Sequence, residues 1–166
     1  MSGSVEAIYI AAQSGLPMQS VAQVAGAAGR GLLGDRHCRP ADAPPLAPQD
    51  RVPDVSLVEA EVLQSLRDEH GIDLLPDETR RNIVTRGVRL HELIGRSFHL
   101  GDLVCEGVEV CEPCIHVQQR VGKPILRPLV HRGGLRARIL SSGTVRVGDL
   151  IQAIEPVGAV EATIPA

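Results

Sequence analysis

A mostly β fold, a closed or nearly closed β-barrel with a few short helices, is what this sequence predicts, on three observations. Short apolar runs recur at close spacing, separated by Gly, Pro, Asp and Ser, the residues of turns. One such unit is repeated: Ser97-Phe98-His99-Leu100-Gly101-Asp102-Leu103-Val104 is similar to Thr144-Val145-Arg146-Val147-Gly148-Asp149-Leu150-Ile151. In both, Gly-Asp separates two apolar runs, the pattern of two strands joined by a tight bend. Glu59 to His70 has the best helical spacing in the chain. Many short strands create exposed edges, and closing the sheet on itself removes them.

Taken in order, Val5 to Ala11 reads as a strand ended by the turn-rich Gln13-Ser14-Gly15-Leu16-Pro17, and Ser20 to Val24 as a second. Gly26, Gly29, Gly31 and Gly34 lead into Asp35-Arg36-His37-Cys38. Arg39 to Pro53 is dense in Pro, Ala and Asp, the composition of a long surface loop. Val55 to Val58 is a short strand. The helix after it carries Val62, Leu63 and Leu66 on one face, with Ser56 near its N-cap and Gly71 as its stop. Leu74 to Glu78 is a turn, and Asn82 to Thr85 returns to a strand. A short helix is expected at Leu90 to Ile94, and another between Ile115 and Val130, limited by Pro124 and Pro128. Val104 to Val110, Arg136 to Leu140 and Leu150 to Ile154 complete the strands. The whole reads as one domain, 1–166, with a core over about 5–155, a surface loop over 39–53 and a tail over 156–166.

The 166 residues suffice for one main core. With no Trp, Tyr9 as the one Tyr and Phe98 as the one Phe, that core must be aliphatic. The same scarcity argues against single-stranded nucleic acid as a partner, since its bases stack on aromatic side chains. Net charge is −3, but Arg80 to Arg146 holds 12 basic and 5 acidic residues. Lys123 is the only Lys among 17 basic residues. Arg forks bind phosphate or carboxylate bidentately, which suits a small anionic ligand; coding bias towards Arg explains the count equally well. Met1 to Ala12 lacks a basic, then apolar, leader, and no apolar run approaches the roughly 18 residues of a membrane span, so a cytoplasmic protein without a membrane partner is expected. There, Cys38, Cys105, Cys111 and Cys114 are better read as reactive or metal-binding thiols than as disulfides.

The central motif is Cys111-Glu112-Pro113-Cys114, at the end of an expected strand. At a strand-to-helix junction a thiol meets unpaired backbone N–H groups, which favour the thiolate, and His116 and nearby Arg residues add to that. A thiolate can ligate a soft metal, carry sulfane sulfur or attack a disulfide. Two buried, inert thiols are the plain alternative. Zinc is another, with Cys111 and Cys114 completed from Cys105, His116, Cys38 or His37, although only one clean ligand pair is present. A thioredoxin-like reading lacks its βαβ setting. Three further motifs are Arg80-Arg81-Asn82, an anion clamp beside a donor–acceptor amide; Gly34-Asp35-Arg36-His37; and His131-Arg132-Gly133-Gly134, whose glycines allow close backbone approach to a ligand. Each also reads as ordinary surface or turn structure.

In sequence order these elements resemble the MOSC family, named for the C-terminal domain of molybdenum-cofactor sulfurases. The matching pieces are Gly34-Asp35-Arg36-His37, Arg80-Arg81-Asn82-Ile83-Val84, Leu93-Ile94-Gly95-Arg96 with Leu100-Gly101-Asp102, Cys111-Glu112-Pro113-Cys114, Gly133-Gly134-Leu135 and Ser142 to Asp149, spanning about residues 5 to 155. The resemblance implies a barrel related to the small β-barrel domain of pyruvate kinase. It implies that the family's characteristic Cys is Cys114, the molybdenum ligand in relatives that reduce N-hydroxylated compounds. Arg80 and Asn82 match the Arg and Asn that help hold the pterin there, while Arg136 stands where some reductase relatives carry Tyr. The implied cofactor is the molybdenum cofactor (molybdopterin), which purification can strip, held by Arg36, His37, Arg80, Asn82 and Arg136.

The leading expectation is a reductase component for N-oxygenated substrates, a molybdenum-dependent oxidoreductase. The second is a sulfur-transfer protein bearing a persulfide on Cys114, as the sulfurase branch implies. The third is a non-catalytic structural or zinc-stabilised module. A small-molecule cofactor or substrate and a separate electron-transfer protein or cysteine desulfurase are the expected partners. Pyridoxal phosphate binding is a family-level label only: with no room for the desulfurase domain, no pyridoxal phosphate is expected on this chain.

Overall fold

In the computed structural model, residues 2–50 and 52–156 are described. Seven strands close into a barrel: β1 (Ser2–Ile10), β5 (Val55–Glu59), β6 (Ile83–Arg86), β7 (Ser97–Leu100), β8 (Leu103–Val110), β9 (Leu135–Ser141) and β11 (Leu150–Ala153). Around the ring the order is β11-β7-β8-β9-β5-β6-β1, and β1 pairs back to β11. An odd number of strands cannot close with antiparallel pairs alone. The one parallel pair is β5–β6, and parallel neighbours need a crossover. Helix α1 (Ala60–His70) supplies it.

That crossover explains the burial pattern. On β5 and β6, Leu57 and Ile83 face the barrel core, while Val58 and Val84 pack under α1 with Val62, Leu63 and Leu66. Both faces of this pair are covered, so they read as continuous apolar runs. Elsewhere one face is buried, and β9 alternates strictly through its first five residues. Phe98 is the largest side chain in the interior, surrounded by Val, Leu and Ile, as the composition requires.

A second sheet, β10 (Gly143–Arg146), β3 (Gln23–Ala27) and β4 (Gly31–Leu32), packs against the barrel where Gly26 meets Leu103 and Ile139. The expected strand Ser20 to Val24 is in fact two, β2 (Gln19–Val21) on the edge of β1 and β3 in the small sheet, because the chain changes sheets at Ala22. The repeat also needs correction. Gly101-Asp102 turns the β7–β8 hairpin, but Gly148-Asp149 carries the chain from the small sheet into the barrel. The two bends dock instead: Asp102 N donates to Thr144 O at 3.0 Å, and Asp102 pairs with Arg146 at 3.0 Å.

Helix α1 ends as expected, with Gly71 in the left-handed conformation, but starts differently. Glu59 is its N-cap and makes no side-chain cap bond, while Ser56 is engaged with Asn82. Leu90–Leu93 is a 3-10 turn, and the segment before Val130 forms two short helices, α2 (Ile115–Val121) and α3 (Leu126–Leu129). Within 39–53 the described residues hold one 3-10 turn, Pro48–Asp50. The expected tail falls outside the described residues from 157 onwards. No helix among the described residues is long and apolar enough to cross a membrane.

Candidate functional site

Strand β8 stops at Val110, and the next four residues leave the barrel. Pro113 has no N–H to continue a ladder and holds Glu112 in extended backbone. Cys114 is then the N-cap of α2, with extended φ/ψ of −116° and 139°. Its side chain is half-buried, whereas Cys111 is 1% exposed. All four cysteines are free thiols.

The 131–134 segment holds this loop from behind. Cys111 N donates to Gly134 O at 2.8 Å, and the Glu112 carboxylate accepts from His131 N at 2.9 Å and lies 2.8 Å from His131 Nδ1. The backbone bond from His131 is the main reason the Glu112 carboxyl titrates below the usual carboxylate range. A Cβ on Gly133 would collide with the Cys111 carbonyl, and one on Gly134, at φ 115°, with the Leu57 carbonyl. The paired glycines therefore serve backbone-to-backbone packing here.

The Arg80-Arg81-Asn82 motif divides its three side chains among three destinations. Arg80 sits in the left-handed region at φ 63°, uncommon for a residue with a Cβ. Its guanidinium points outward and donates to Leu16 O. The turn sends Arg81 inward, where Nε donates to Gly133 O at 3.0 Å and Nη2 is 3.3 Å from both Cys111 O and Glu112 O. Burial lowers the Arg81 pKa, opposed by the thiols of Cys111 and Cys114. Asn82 is 1% exposed. Its Oδ1 accepts from Ser56 N at 3.2 Å and Oγ at 3.1 Å, and its Nδ2 donates to Tyr9 O at 3.1 Å, so it ties β1, β5 and β6 together.

Arg36 has an 8% exposed side chain and makes three bonds: to Asp35 Oδ1 at 3.2 Å, Met18 Sδ at 3.1 Å and Arg80 O at 3.0 Å. Asp35 in turn accepts from the backbone N–H of Ala11 and His37. Arg36, Arg80, His116 and Arg120 line an open cleft of about 510 Å³. His116 and Arg120 are i and i+4 on α2 and so share a face. Burial pulls the Arg80 pKa down, and repulsion from Arg36 and Arg120 adds to this, Asp35 opposing. His37, next in sequence to Arg36, has an imidazole held below the usual histidine value by partial burial and by Arg36. Arg136 turns its Nε to Cys111 Sγ at 3.3 Å, and that bond is the main reason its pKa is raised.

The residues expected from sequence thus separate. Arg36 and Arg80 gather at the cationic cleft, whereas His37 lines a separate pocket with Arg30, Arg39 and Asp54. Cys114 lies near the cleft: a crevice of about 20 Å³ lined by Cys114 and Arg81 shares Val117 with it. Arg136 reaches the cysteine loop through Cys111, and Asn82 spends its amide inside the barrel wall. Sequence reasoning missed Arg120, which the i, i+4 spacing from His116 would have pointed to, and the inward role of Arg81. For the zinc alternative, no group of three or more His, Cys, Asp or Glu comes together as a metal site among the described residues. Chemically, the arrangement offers a thiol near a cleft lined by three guanidiniums, of which Arg36 alone is paired with a carboxylate among the described residues, a setting that favours anions.

The family model for the MOSC domain matches residues 51–152. No curated protein matches. Among solved structures, the YUAD protein from Bacillus subtilis is similar with a TM-score of 0.75 at 19% identity, covering 92% of this chain and 96% of that one. YiiM from Geobacillus stearothermophilus is similar with a TM-score of 0.69 at 12% identity, covering 92% of this chain and 75% of that one. YiiM from Escherichia coli has a TM-score of 0.65 at 15% identity, covering 96% and 73%. At these identities the solved structures speak for the barrel, and the family match spans more than half the sequence: the chain belongs to the MOSC domain family.

Proposed function

We propose that this MOSC domain binds the molybdenum cofactor and acts as a reductase component for N-oxygenated substrates. The observation that carries the reading is the placing of a free, half-buried thiol, Cys114, beside a cleft walled by Arg36, Arg80 and Arg120. Molybdenum bonded through one cysteine needs one protein ligand, so the scarcity of other His, Cys, Asp or Glu nearby is no obstacle. The donor set fits: a soft sulfur for the metal and guanidinium forks for a phosphate. When bound, the cofactor supplies two-electron removal of oxygen from the substrate.

The chain's own residues have defined tasks in this reading. Cys114 holds the metal, Arg80 and Arg120 hold the anionic end, and Arg36 braces the Arg80 turn through its carbonyl. Arg136 adds a cation on the side of the cysteine loop, and His37 follows Arg36 outside the cleft. Asn82 supports the site by fixing the start of β6 through Ser56 and Tyr9. Electrons come from a separate protein.

Elemental and pterin analysis of protein purified from a cofactor-competent host tests this directly. Molybdenum and pterin near one per chain, with reduction of an N-hydroxylated compound when an electron donor is added, is the expected outcome. Protein that takes up neither overturns it. A persulfide carrier is the second reading, favoured by Arg81 and Arg136, the guanidiniums within electrostatic reach of Cys114. Its signature is a sulfur atom added at Cys114, read by mass after incubation with a cysteine desulfurase.

A further inference from the structure

Arg81 is a half-buried cation without a carboxylate: no salt bridge reaches it among the described residues, and its neighbours are carbonyls and thiols. Taking a charge partly out of water is costly unless hydrogen bonds compensate well. The compensation comes from one place. Its fork grips Gly133 O, Cys111 O and Glu112 O, carbonyls of the cysteine loop and of the segment packed behind it. Those carbonyls have no ladder to join, because Pro113 ends the strand and Gly133 lies hard against Cys111. The left-handed turn at Arg80, braced by Arg36, is what sends Arg81 inward.

We infer that Arg81 is the positioning residue for Cys114: its guanidinium fork fixes the Cys111–Cys114 loop so that Cys111 stays sealed and Cys114 alone faces out. This rests on Cys114 being the working sulfur, but it concerns loop geometry and can be read without cofactor. A lysine cannot replace the fork, since one ammonium cannot span three carbonyls on two segments. Closing the loop by Arg81 is a local event, separate from the barrel, whose sealed thiol Cys105 reports on global integrity.

The experiment alkylates the full chain with iodoacetamide and follows each cysteine by peptide mass in wild type, Arg81→Lys and Arg81→Ala. Expected in both variants is a rate at Cys111 raised by about tenfold or more, with Cys105 still protected. Millimolar guanidinium chloride should return the Ala variant towards wild-type protection, while equal urea should not. Unchanged protection of Cys111, full rescue by Lys, or Cys105 reacting in step with Cys111 in both variants overturns the proposal. The last outcome would make Arg81 a prop of the barrel. If the loop opens as expected while wild-type protein binds neither molybdenum nor persulfide sulfur, the positioning role stands and the proposed function fails.

Discussion

Cys105 and Cys114 lie close in sequence, and strand β8 delivers them to opposite surroundings. Cys105 points into the barrel among Phe98, Leu103 and Ile139, is fully buried, and has its thiol pushed far up by burial, with Asp54 adding to the effect. Cys114 lies past the end of the strand, half-buried, with Arg81 and Arg136 in electrostatic reach. Side-chain chemistry is identical, so the difference is one of position: the barrel seals one thiol, and the loop beyond it leaves the other partly exposed. The sharpest way to break this contrast is to remove each sulfur. Cys114→Ala should abolish molybdenum and pterin binding while leaving the urea midpoint close to wild type. Cys105→Ala should leave cofactor content intact and lower stability by roughly 1–2 kcal/mol through a small cavity. Cofactor retained by Cys114→Ala at wild-type level would remove Cys114 from the site.

The barrel interior should respond to truncation far more strongly than the loop does. Phe98 is the sole large aromatic in an aliphatic core and is fully buried. Phe98→Ala should cost about 3–5 kcal/mol in urea unfolding, because the strands around it cannot collapse into the space. A cost below about 1 kcal/mol would mean that the barrel core repacks freely, against the close-packed interior expected of it.

The two regions were also unequally legible. Alternation in β7, β8 and β9 and the helix spacing of Val62, Leu63 and Leu66 are local signals, and the barrel follows from them. The small sheet was not visible, because β4 is two residues long and β3 lies among glycines and alanines. At the site, the types Cys114, Arg36 and Arg80 were readable as a cationic, sulfur-bearing set. Directions were not. Whether Arg80 or Arg81 faces the cleft depends on a left-handed turn at a non-glycine residue, which local propensity disfavours and which Arg36 stabilises from another part of the chain. The role of Asn82 depends on β1, β5 and β6 meeting, a tertiary fact.

Asp54 sharpens the same contrast through pH. It sits at the barrel wall, with Oδ1 accepting from Ile139 N at 2.9 Å, and burial raises its pKa from an ordinary 3.8 to about 6, the Ile139 bond and Arg138 opposing. A carboxyl whose folded value is raised lets the folded chain keep a proton that the unfolded chain releases. Stability is therefore unaffected below the ordinary value, falls as pH rises from about 4 to 6, and levels off above that. The fall should be on the order of 2–3 kcal/mol by the usual linkage. Asp54→Asn keeps an oxygen for Ile139 N and should flatten this part of the stability–pH curve. A slope that survives in Asp54→Asn would assign the titration to another group.

The smallest expected effect lies at the cleft mouth, where solvent weakens every charge. Arg120 is exposed and donates to Gly15 O at 2.7 Å, while Arg36 is buried with three partners. Loss of Arg36 should therefore disturb the Arg80 turn and the fold around it, whereas loss of Arg120 should touch only the field in the cleft. With inorganic phosphate as the probe, Arg120→Met should weaken binding by about three- to tenfold, the value of one solvent-exposed guanidinium contact. The difference should shrink as salt rises, because screening acts on the exposed charge first. Equal affinity in both proteins at low salt would mean that the cleft's anion is held by Arg80 and His116 without Arg120, and that the shared face of α2 is incidental.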